Sequence, residues 1–284
     1  MEWINQKNVL IVGLGLMGGS YARALSRLGF HVMALDKNKE SILFAKQQHI
    51  IEEGDWKEDS VLLEQADSII IALYPGIVVK WVQEHQDKIK SGAFITDVTG
   101  VKEPVVYKVQ EILREDLEFI AAHPMAGREV YGVENSDDKI FRDANYIVVP
   151  TEKNTREAIL WCENLGRVLG FRKVSILTPK EHDDMIAYVS QLTHCIAVAL
   201  MTGCDKEHVV DYTGDSFRDL TRIANINEDM WSELFLMNKE PLLQEMTYFI
   251  DEMNEIKGLI EEDKVEELKE KMRLSTVRRS RFNK

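Results

Sequence analysis

The segment Asn8-Val9-Leu10-Ile11-Val12-Gly13-Leu14-Gly15-Leu16-Met17-Gly18 decides the fold. Its first half is apolar and β-prone, which is typical of a buried parallel strand. Its second half matches the pattern G-x-G-x-x-G, which is weak by itself because glycines are common in turns. Here the pattern follows a predicted strand and opens a helix predicted over residues 17–28. This order predicts a dinucleotide-binding βαβ unit rather than a plain strand–helix turn.

Each glycine of this turn has a physical purpose in binding a diphosphate. Gly13 permits the tight turn, Gly15 lets the backbone approach the pyrophosphate, and Gly18 allows close packing of helix on strand. The N-terminus of the helix then presents backbone N–H groups to the negative charge. We therefore expect the cofactor to contact the whole turn, which consists of Gly13, Leu14, Gly15, Leu16, Met17 and Gly18.

An acidic residue, Asp36, ends the second predicted strand at the spacing expected for a ribose-binding carboxylate. A carboxylate at this position accepts hydrogen bonds from the ribose 2′-hydroxyl and repels a 2′-phosphate. The sequence therefore predicts NAD as the cofactor in preference to NADP. Lys37 and Lys39 follow directly and soften that preference, because their charges attract a phosphate.

Further apolar runs alternate with helical patterns, which predicts a doubly wound parallel sheet of the Rossmann type. The predicted strands after the first cover residues 31–35, 68–73, 94–98, 119–122 and 146–149. Ligands of such sheets bind beyond the carboxyl ends of the strands. We expect Leu73, Tyr74 and Pro75, together with the Thr99-Gly100 turn, to wall the cofactor.

The second half of the chain is predicted to be helical. From His182 onward no convincing strand occurs, and apolar residues recur every three or four positions, as from Leu242 to Ile260. We place a dinucleotide-binding domain at residues 1–177 and an all-helical substrate and dimerisation domain at residues 178–284. The apolar seams are numerous for so short a domain, so we expect a homodimer through it. The alternative is that every seam is internal.

Composition narrows the class of protein. The 284 residues are 45% hydrophobic and carry a formal net charge of −13, which fits a globular protein and argues against nucleic-acid binding. Cys162, Cys195 and Cys204 show no metal-like spacing, so we expect reduced thiols and no metal site. The polar segment from Met1 to Lys7 predicts no signal peptide, and no apolar run reaches membrane-spanning length. We therefore expect a cytoplasmic protein that acts on a small molecule.

Three polar segments contain candidate catalytic and binding residues. His123-Pro124 lies at the end of a predicted strand, where a histidine is either a base beside the cofactor or a packed core residue. Proline after it forces an extended backbone at His123 and fixes its direction. His194 lies among helical apolar residues, so both interpretations stand there too. Arg222 either pairs with a neighbour such as Asp219 or presents a guanidinium fork to a substrate carboxylate.

Together these segments resemble the prephenate dehydrogenase family. The resemblance covers nearly the whole chain and rests on the glycine turn, His123-Pro-Met-Ala-Gly127, Glu181-His-Asp183 and the segment from Phe217 to Ala224. It implies oxidative decarboxylation of prephenate by NAD to 4-hydroxyphenylpyruvate, CO₂ and NADH. The resemblance further implies that His123 is the base, that Arg222 holds a substrate carboxylate, and that His194 contacts the substrate near its side chain.

The chain departs from the family pattern at several positions. Gly100 stands where a serine usually helps to hold the reacting hydroxyl, and the neighbouring Thr99 is a candidate replacement. Arg128 stands where serine often follows the Ala-Gly pair, and it either binds a carboxylate or phosphate or pairs with Glu129. Gln191 and Thr193 replace the usual histidine and proline. These changes leave the choice between prephenate and arogenate open.

Two other functions compete with this interpretation. A β-hydroxyacid dehydrogenase or an imine reductase would share the order of domains, but the hydroxyacid class uses a catalytic lysine in the helical domain. A non-catalytic NAD-responsive binding protein would need neither His123 nor Arg222. Both residues therefore favour a dehydrogenase.

Overall fold

A computed structural model describes residues 7–57, 60–205 and 207–282 of the chain. The chain divides into two compact units, residues 1–238 and residues 239–284. The segment of residues 1–6, which belongs to the region predicted to contain no signal peptide, lies outside the described residues.

The first unit is built on a parallel sheet, as the sequence predicts, and the sheet has six strands. The strands are β1 (Asn8–Val12), β2 (His31–Leu35), β3 (Glu53–Asp55), β4 (Ser68–Ile71), β5 (Phe94–Asp97) and β6 (Glu118–Phe119). Their order is β3-β2-β1-β4-β5-β6, and every pair is parallel. The strand order reverses between β1 and β4, which is where this fold opens a crevice for a ligand.

Helices cover both faces of this sheet, because successive strand residues point to opposite sides. Val9 and Ile11 of β1 lie in one apolar core, and Leu10 and Val12 lie in the other. The helices are α1 (Leu16–Arg27), α2 (Lys39–Gln47), α3 (Leu62–Gln65), α4 (Pro75–His85), α5 (Glu103–Ile112) and α6 (Arg156–Val168). Short 3₁₀ turns cover Gln86–Lys88, Val133–Asn135, Asp138–Phe141 and Val209–Tyr212. The Rossmann-type prediction is confirmed.

The strand prediction differs from the structure in several places. It has no counterpart of β3, and the strand predicted over residues 146–149 lies in a second sheet and not in the parallel one. The strand predicted over residues 119–122 divides at Ile120, and the chain continues into a second, three-stranded sheet. This sheet consists of β7 (Ala121–Met125), β8 (Asn145–Val149) and β9 (Lys173–Ile176), with β7 antiparallel to β8. Pro124 explains the position of β7, because a residue without an N–H group is tolerated at a sheet edge. His123 therefore lies inside an edge strand, not beyond a parallel one.

A single long helix follows the second sheet. It consists of α7 (Pro179–Ile186), a π-helical turn (Ala187–Leu192) and α8 (Thr193–Thr202). Thr178 and Glu181 form a capping box at its start. The helix corrects the expectation about apolar runs, because Pro179–Thr202 is long and apolar enough to cross a membrane, with a mean hydropathy of 1.5. This criterion concerns length and composition only; 28% of the apolar window is buried inside the protein, and His182 and Asp183 at the start of the helix are buried.

All elements described after β9 are helical, which confirms the predicted character of the second half. The first unit ends with α9 (Asp215–Thr221), a 3₁₀ turn (Arg222–Ala224) and α10 (Glu228–Met237). The second unit consists of α11 (Lys239–Glu261) and α12 (Val265–Ser280). Within it, Lys271 of α12 pairs with Glu252 at 2.8 Å and Glu255 at 2.6 Å on α11.

Candidate active site

The glycine turn has the geometry that a diphosphate cradle needs. Gly13 has a φ of +93°, and a Cβ there would overlap the carbonyl oxygen of Ala72. A Cβ on Gly18 would overlap the carbonyl oxygen of Gly13, so strand and helix pack more closely than any side chain permits. A Cβ on Gly15 would meet no atom within 4 Å. The turn is therefore closed against the protein at Gly13 and Gly18 and open at Gly15, the N-cap of α1.

Asp36 lies at the carboxyl end of β2, directly beside this turn. Its Oδ2 accepts a hydrogen bond from the backbone N–H of Leu14 at 2.6 Å, and its Oδ1 accepts one from Asn38 at 2.7 Å. These bonds fix the carboxylate at the mouth of the cradle. Lys39 lies over the ring of Trp56, with Nζ 4.7 Å from the ring centroid. That cation is thus already engaged with an aromatic face.

The expected wall of the crevice follows β4. Leu73 is partly buried, Tyr74 is exposed, and Pro75 begins α4. The Tyr74 hydroxyl accepts a hydrogen bond from the amide of Asn227 at 3.2 Å, and the backbone N–H of the next glycine donates to Glu233. The wall is thereby connected to α10.

His123, which is partly buried, begins a hydrogen-bonded series that continues through the buried side chains of His182 and Asp183. Its Nδ1 lies 2.8 Å from Nε2 of His182, and Nδ1 of His182 lies 2.6 Å from Oδ1 of Asp183. The Asp183 carboxylate accepts backbone N–H groups of Lys102 and Glu103, both at 2.8 Å, at the start of α5. Asp183 therefore caps α5 while it belongs to α7.

Burial sets the protonation of these groups. It lowers the pKa of His123 well below its ordinary value, and the charges of His182 and Lys102 lower it further. Burial lowers the pKa of His182 to about 3 and raises the pKa of Asp183 to about 6. Both imidazoles are therefore neutral at neutral pH, and a neutral imidazole at His123 can accept a proton.

A buried ion pair holds the backbone before His123. Lys102 and Asp97 have no exposed side-chain surface, and Nζ of Lys102 lies 2.7 Å from Oδ2 of Asp97. Lys102 also donates to the carbonyl oxygen of Ala122, and Asp97 accepts the N–H of Ala122 at 3.2 Å. Thr99 belongs to this cluster: its hydroxyl donates to Asp97 and accepts from Lys102 at 3.1 Å. The Thr99 hydroxyl is fully used here, which argues against its replacing the missing serine.

The space beside Gly100 is filled from another helix. A Cβ at this position would lie 3.1 Å from Cδ2 of Leu234, a buried residue of α10. Leu234 thus lies against the position that a side chain at residue 100 would take. Its carbonyl oxygen accepts a hydrogen bond at 2.9 Å from the buried amide of Gln191, one of the residues that departs from the family pattern.

The predicted substrate residues form a second group. Arg222 pairs with Glu129, which corrects the alternative partner Asp219. Arg128 pairs with Asp137 at 3.1 Å, so its expected partner Glu129 is also corrected.

The imidazole of His194 belongs to this group. It stacks on Trp231 with ring centroids 3.6 Å apart, and its Nδ1 lies 2.8 Å from the carbonyl oxygen of Ser190. Burial lowers the pKa of His194. The hydrogen bond with Ser190 and the charge of Glu129 raise it, and the charge of Arg222 lowers it. His194, Arg222 and Glu129 are therefore within electrostatic range of one another.

Sequence reasoning missed the partners of His123. It noted Glu181-His182-Asp183 as a motif without assigning a role, and it did not single out Asp97 or Lys102 for function. The available signal was a polar dipeptide at the start of an apolar helix. Among the described residues, no group of three His, Cys, Asp or Glu side chains could hold a metal ion, and the three cysteines are free.

Known proteins match both halves of the chain. The family model described as "Prephenate dehydrogenase, nucleotide-binding domain" matches residues 21–170, and "Prephenate dehydrogenase, dimerization domain" matches residues 178–274. The chain is 28% identical over 270 residues to the prephenate dehydrogenase of Bacillus subtilis, covering 92% of this chain and 72% of that protein. It is 30% identical over 259 residues to that of Lactococcus lactis, covering 88% and 70%.

A solved structure is similar over almost the full length. It is the prephenate dehydrogenase of A. aeolicus in complex with hydroxyphenyl propionate and NAD⁺. Its TM-score is 0.89 at 30% sequence identity, and the match covers 99% of this chain and 100% of that one.

Proposed function

The chain belongs to the prephenate dehydrogenase family of oxidoreductases, and we propose that it oxidatively decarboxylates prephenate to 4-hydroxyphenylpyruvate with NAD. The family membership supports a dehydrogenase reaction on a cyclohexadiene acid. The choice of prephenate and NAD is the further step, and it rests on the side chains of this chain.

The observation that carries the proposal is the hydrogen-bonded state of His123. Its Nδ1 is engaged with His182, which leaves Nε2 to a substrate. Because burial lowers its pKa, His123 is neutral at neutral pH and can act as a general base. We infer that it takes the proton of the C4 hydroxyl of prephenate as that carbon is oxidised. Loss of the ring carboxylate as CO₂ restores aromaticity, which supplies driving force.

The cofactor residues fit a nicotinamide dinucleotide. The turn from Gly13 to Gly18 would hold the diphosphate, Asp36 the ribose hydroxyls, and Leu73 to Pro75 would wall the crevice. Bound there, NAD supplies the acceptor for the hydride. The fixed carboxylate of Asp36 supports NAD over NADP, since it lies where a 2′-phosphate would add a second negative charge.

Arg222 is the proposed ligand of a substrate carboxylate. A guanidinium binds a carboxylate through two parallel hydrogen bonds, and Arg222 already binds one, that of Glu129. A substrate carboxylate would therefore exchange with Glu129. His194 is close enough to feel both charges and is the proposed contact for the substrate side chain.

The test is a spectrophotometric assay of reduced cofactor at 340 nm. Purified protein receives prephenate or arogenate, each with NAD or NADP. We expect NADH and CO₂ with prephenate and NAD, and His123→Asn should lower kcat by about 10²–10⁴-fold without weakening NAD binding. Faster turnover of arogenate or a lower KM for NADP would overturn that part of the proposal. No product with either substrate would overturn the reaction itself.

We also propose a homodimer through the helical domain. The match to a dimerisation domain supports it, as do apolar side chains of the predicted seam that are exposed in the single chain, such as Met253 and Ile260. Sedimentation at micromolar concentration should give twice the mass of the chain, and a monomer would contradict the proposal. The cytoplasmic location stays a prediction.

A further inference from the structure

We propose that His182 is a positioning residue that, together with Asp183, holds His123 in the tautomer with its proton on Nδ1 and Nε2 free. The inference deepens the proposed function, because a base needs that nitrogen unprotonated. Histidine tautomers are set by the hydrogen bond that the other ring nitrogen makes. In this chain, the donor and the acceptor of that bond follow from backbone N–H groups that can only donate.

The starting point is the backbone of α5. The N–H groups of Lys102 and Glu103 can only donate, and both face the Asp183 carboxylate at 2.8 Å. These two backbone donors stabilise negative charge on Asp183 and therefore favour its ionised and purely accepting form. Since Asp183 accepts, Nδ1 of His182 must bear the proton that closes the 2.6 Å contact.

The proton on Nδ1 of His182 then determines which atom donates in the next hydrogen bond, the one between His182 and His123. A neutral imidazole with its proton on Nδ1 has an acceptor at Nε2. The 2.8 Å contact between this Nε2 and Nδ1 of His123 therefore places a proton on Nδ1 of His123. Nε2 of His123 is left with its lone pair, as a general base requires. The reverse direction would require a protonated Asp183 and would put a proton on Nε2 of His123.

Surrounding groups keep His182 neutral and in place. Its charged neighbours are Asp183 on its own helix, Asp97 at the end of β5 and Lys102 at the start of α5. Burial and the cation of Lys102 both lower its pKa, to about 3. The helix is held as well, because the buried amide of Asn238 donates to the carbonyl oxygen of Asp183 at 2.9 Å. His182 thus combines a fixed position with one protonation state.

The arrangement also stabilises the product of proton transfer. When His123 accepts a proton it becomes an imidazolium, and its Nδ1–H still donates to His182. The ring of His182 lies between that cation and the carboxylate of Asp183, whose negative charge stabilises the cation. Removing His182 leaves the imidazolium buried without an acceptor, which is costly.

The first test reads the tautomer directly and does not depend on turnover. ¹⁵N-histidine NMR of the whole protein near pH 7.5 reports which ring nitrogen is protonated, and His123→Asn identifies the signal. We expect the Nδ1–H form of His123 in the unmodified chain and a mixture in Asp183→Asn, whose amide can donate to His182. An Nε2–H form of His123 in the unmodified chain would overturn the proposal.

The second test compares two replacements of His182. In His182→Gln, the amide can donate to Asp183 and its carbonyl can accept from His123, so kcat should stay within about tenfold. In His182→Leu neither bond forms, and kcat should fall by about 10²-fold or more with KM changed by less than about threefold. The matched control is His85→Gln, another buried histidine, bonded to Trp81 within α4, which should leave kcat unchanged.

Equal kcat values for the glutamine and leucine variants would contradict a tautomer role. Should His182→Leu fail to fold, the NMR result on the unmodified chain still decides the question. Failure of the proposed function gives a different pattern: no turnover by any variant, with the tautomer of His123 as described.

Discussion

A given ring nitrogen of a neutral histidine acts as a base only when the proton is on the other nitrogen, and a hydrogen-bond partner can select that tautomer. For His123 that partner is His182, 59 residues later in the chain. Local sequence marked His123 as the candidate base, because Pro124 and the preceding apolar run set it apart. It could not identify the partner, because two strands, one helix and the start of another lie between them. The same holds for Arg222, whose partner Glu129 is 93 residues away.

The planar guanidinium of Arg222 leads to a prediction about substrate binding. In Arg222→Lys the charge stays but two parallel hydrogen bonds to a carboxylate are no longer possible. We expect the KM for prephenate to rise about tenfold or more, with unchanged affinity for the cofactor. Steady-state kinetics and a cofactor titration measure both. The control is Arg218→Lys, an arginine of α9 paired with Asp215, which should leave KM unaltered.

At the scale of elements, strands with a continuous apolar sequence could be predicted, and very short strands could not. The strands β1, β2, β4 and β5 are apolar runs that local sequence locates to within two residues. The strand β3 has only the residues Glu-Gly-Asp, so no pattern marks it. The chain leaves the parallel sheet at Ile120, between two apolar stretches without any turn signal. Tertiary packing of β7 against β8 decides that division.

Replacing two helical glycines by alanine should have opposite effects on stability, because one glycine is in close contact with another element and the other has open space around it. In Gly18→Ala the new methyl overlaps the carbonyl oxygen of Gly13, so we expect a loss of about 1–3 kcal/mol in stability and no cofactor binding. In Gly258→Ala of α11 the methyl meets no atom within 4 Å, so we expect a gain of about 0.5–1 kcal/mol. Denaturant unfolding of both variants provides the comparison. Cofactor affinity retained in Gly18→Ala would refute this account.

The buried ion pair between Asp97 of β5 and Lys102 at the start of α5 predicts a loss of stability when its cation is removed. In Lys102→Met the carboxylate of Asp97 stays buried without its cation, which costs about 3–5 kcal/mol. Adding Asp97→Asn removes the unpaired charge and should recover part of that loss. Urea unfolding of the two single variants and the double variant gives the coupling between them. Additive effects would mean that the pair does not act as a unit.

At the scale of the whole molecule, composition predicted a globular protein, and the pattern along the chain predicted a sheet-based half followed by a helical half. The compact units divide instead at residue 238, since the helices up to α10 pack with the first unit. That grouping depends on contacts such as Gln191 with Leu234 and Asn238 with Asp183, which no local pattern reveals. The predicted domain boundary at residue 177 coincides closely with the end of β9.

A dimer should make thermal stability depend on concentration. If two chains unfold together, each tenfold rise in protein concentration stabilises the assembly by about 1.4 kcal/mol, which raises Tm by about 1 °C at this size. Calorimetry across a hundredfold range of concentration can resolve the trend. A Tm independent of concentration would count against the dimer.

The π-helical turn Ala187–Leu192 sets the angular phase between two histidines of the long helix. His194 follows His182 by twelve positions, and at about 100° per residue a regular α-helix would place them roughly 120° apart. A π-helical turn accommodates one additional residue, so the effective spacing is eleven and the angle falls to roughly 20°. The bulge therefore acts as a rotational offset that brings both imidazoles to one side. If all twelve positions were instead regularly α-helical, with no residue removed, His194 would lie about 100° further around the helix from His182.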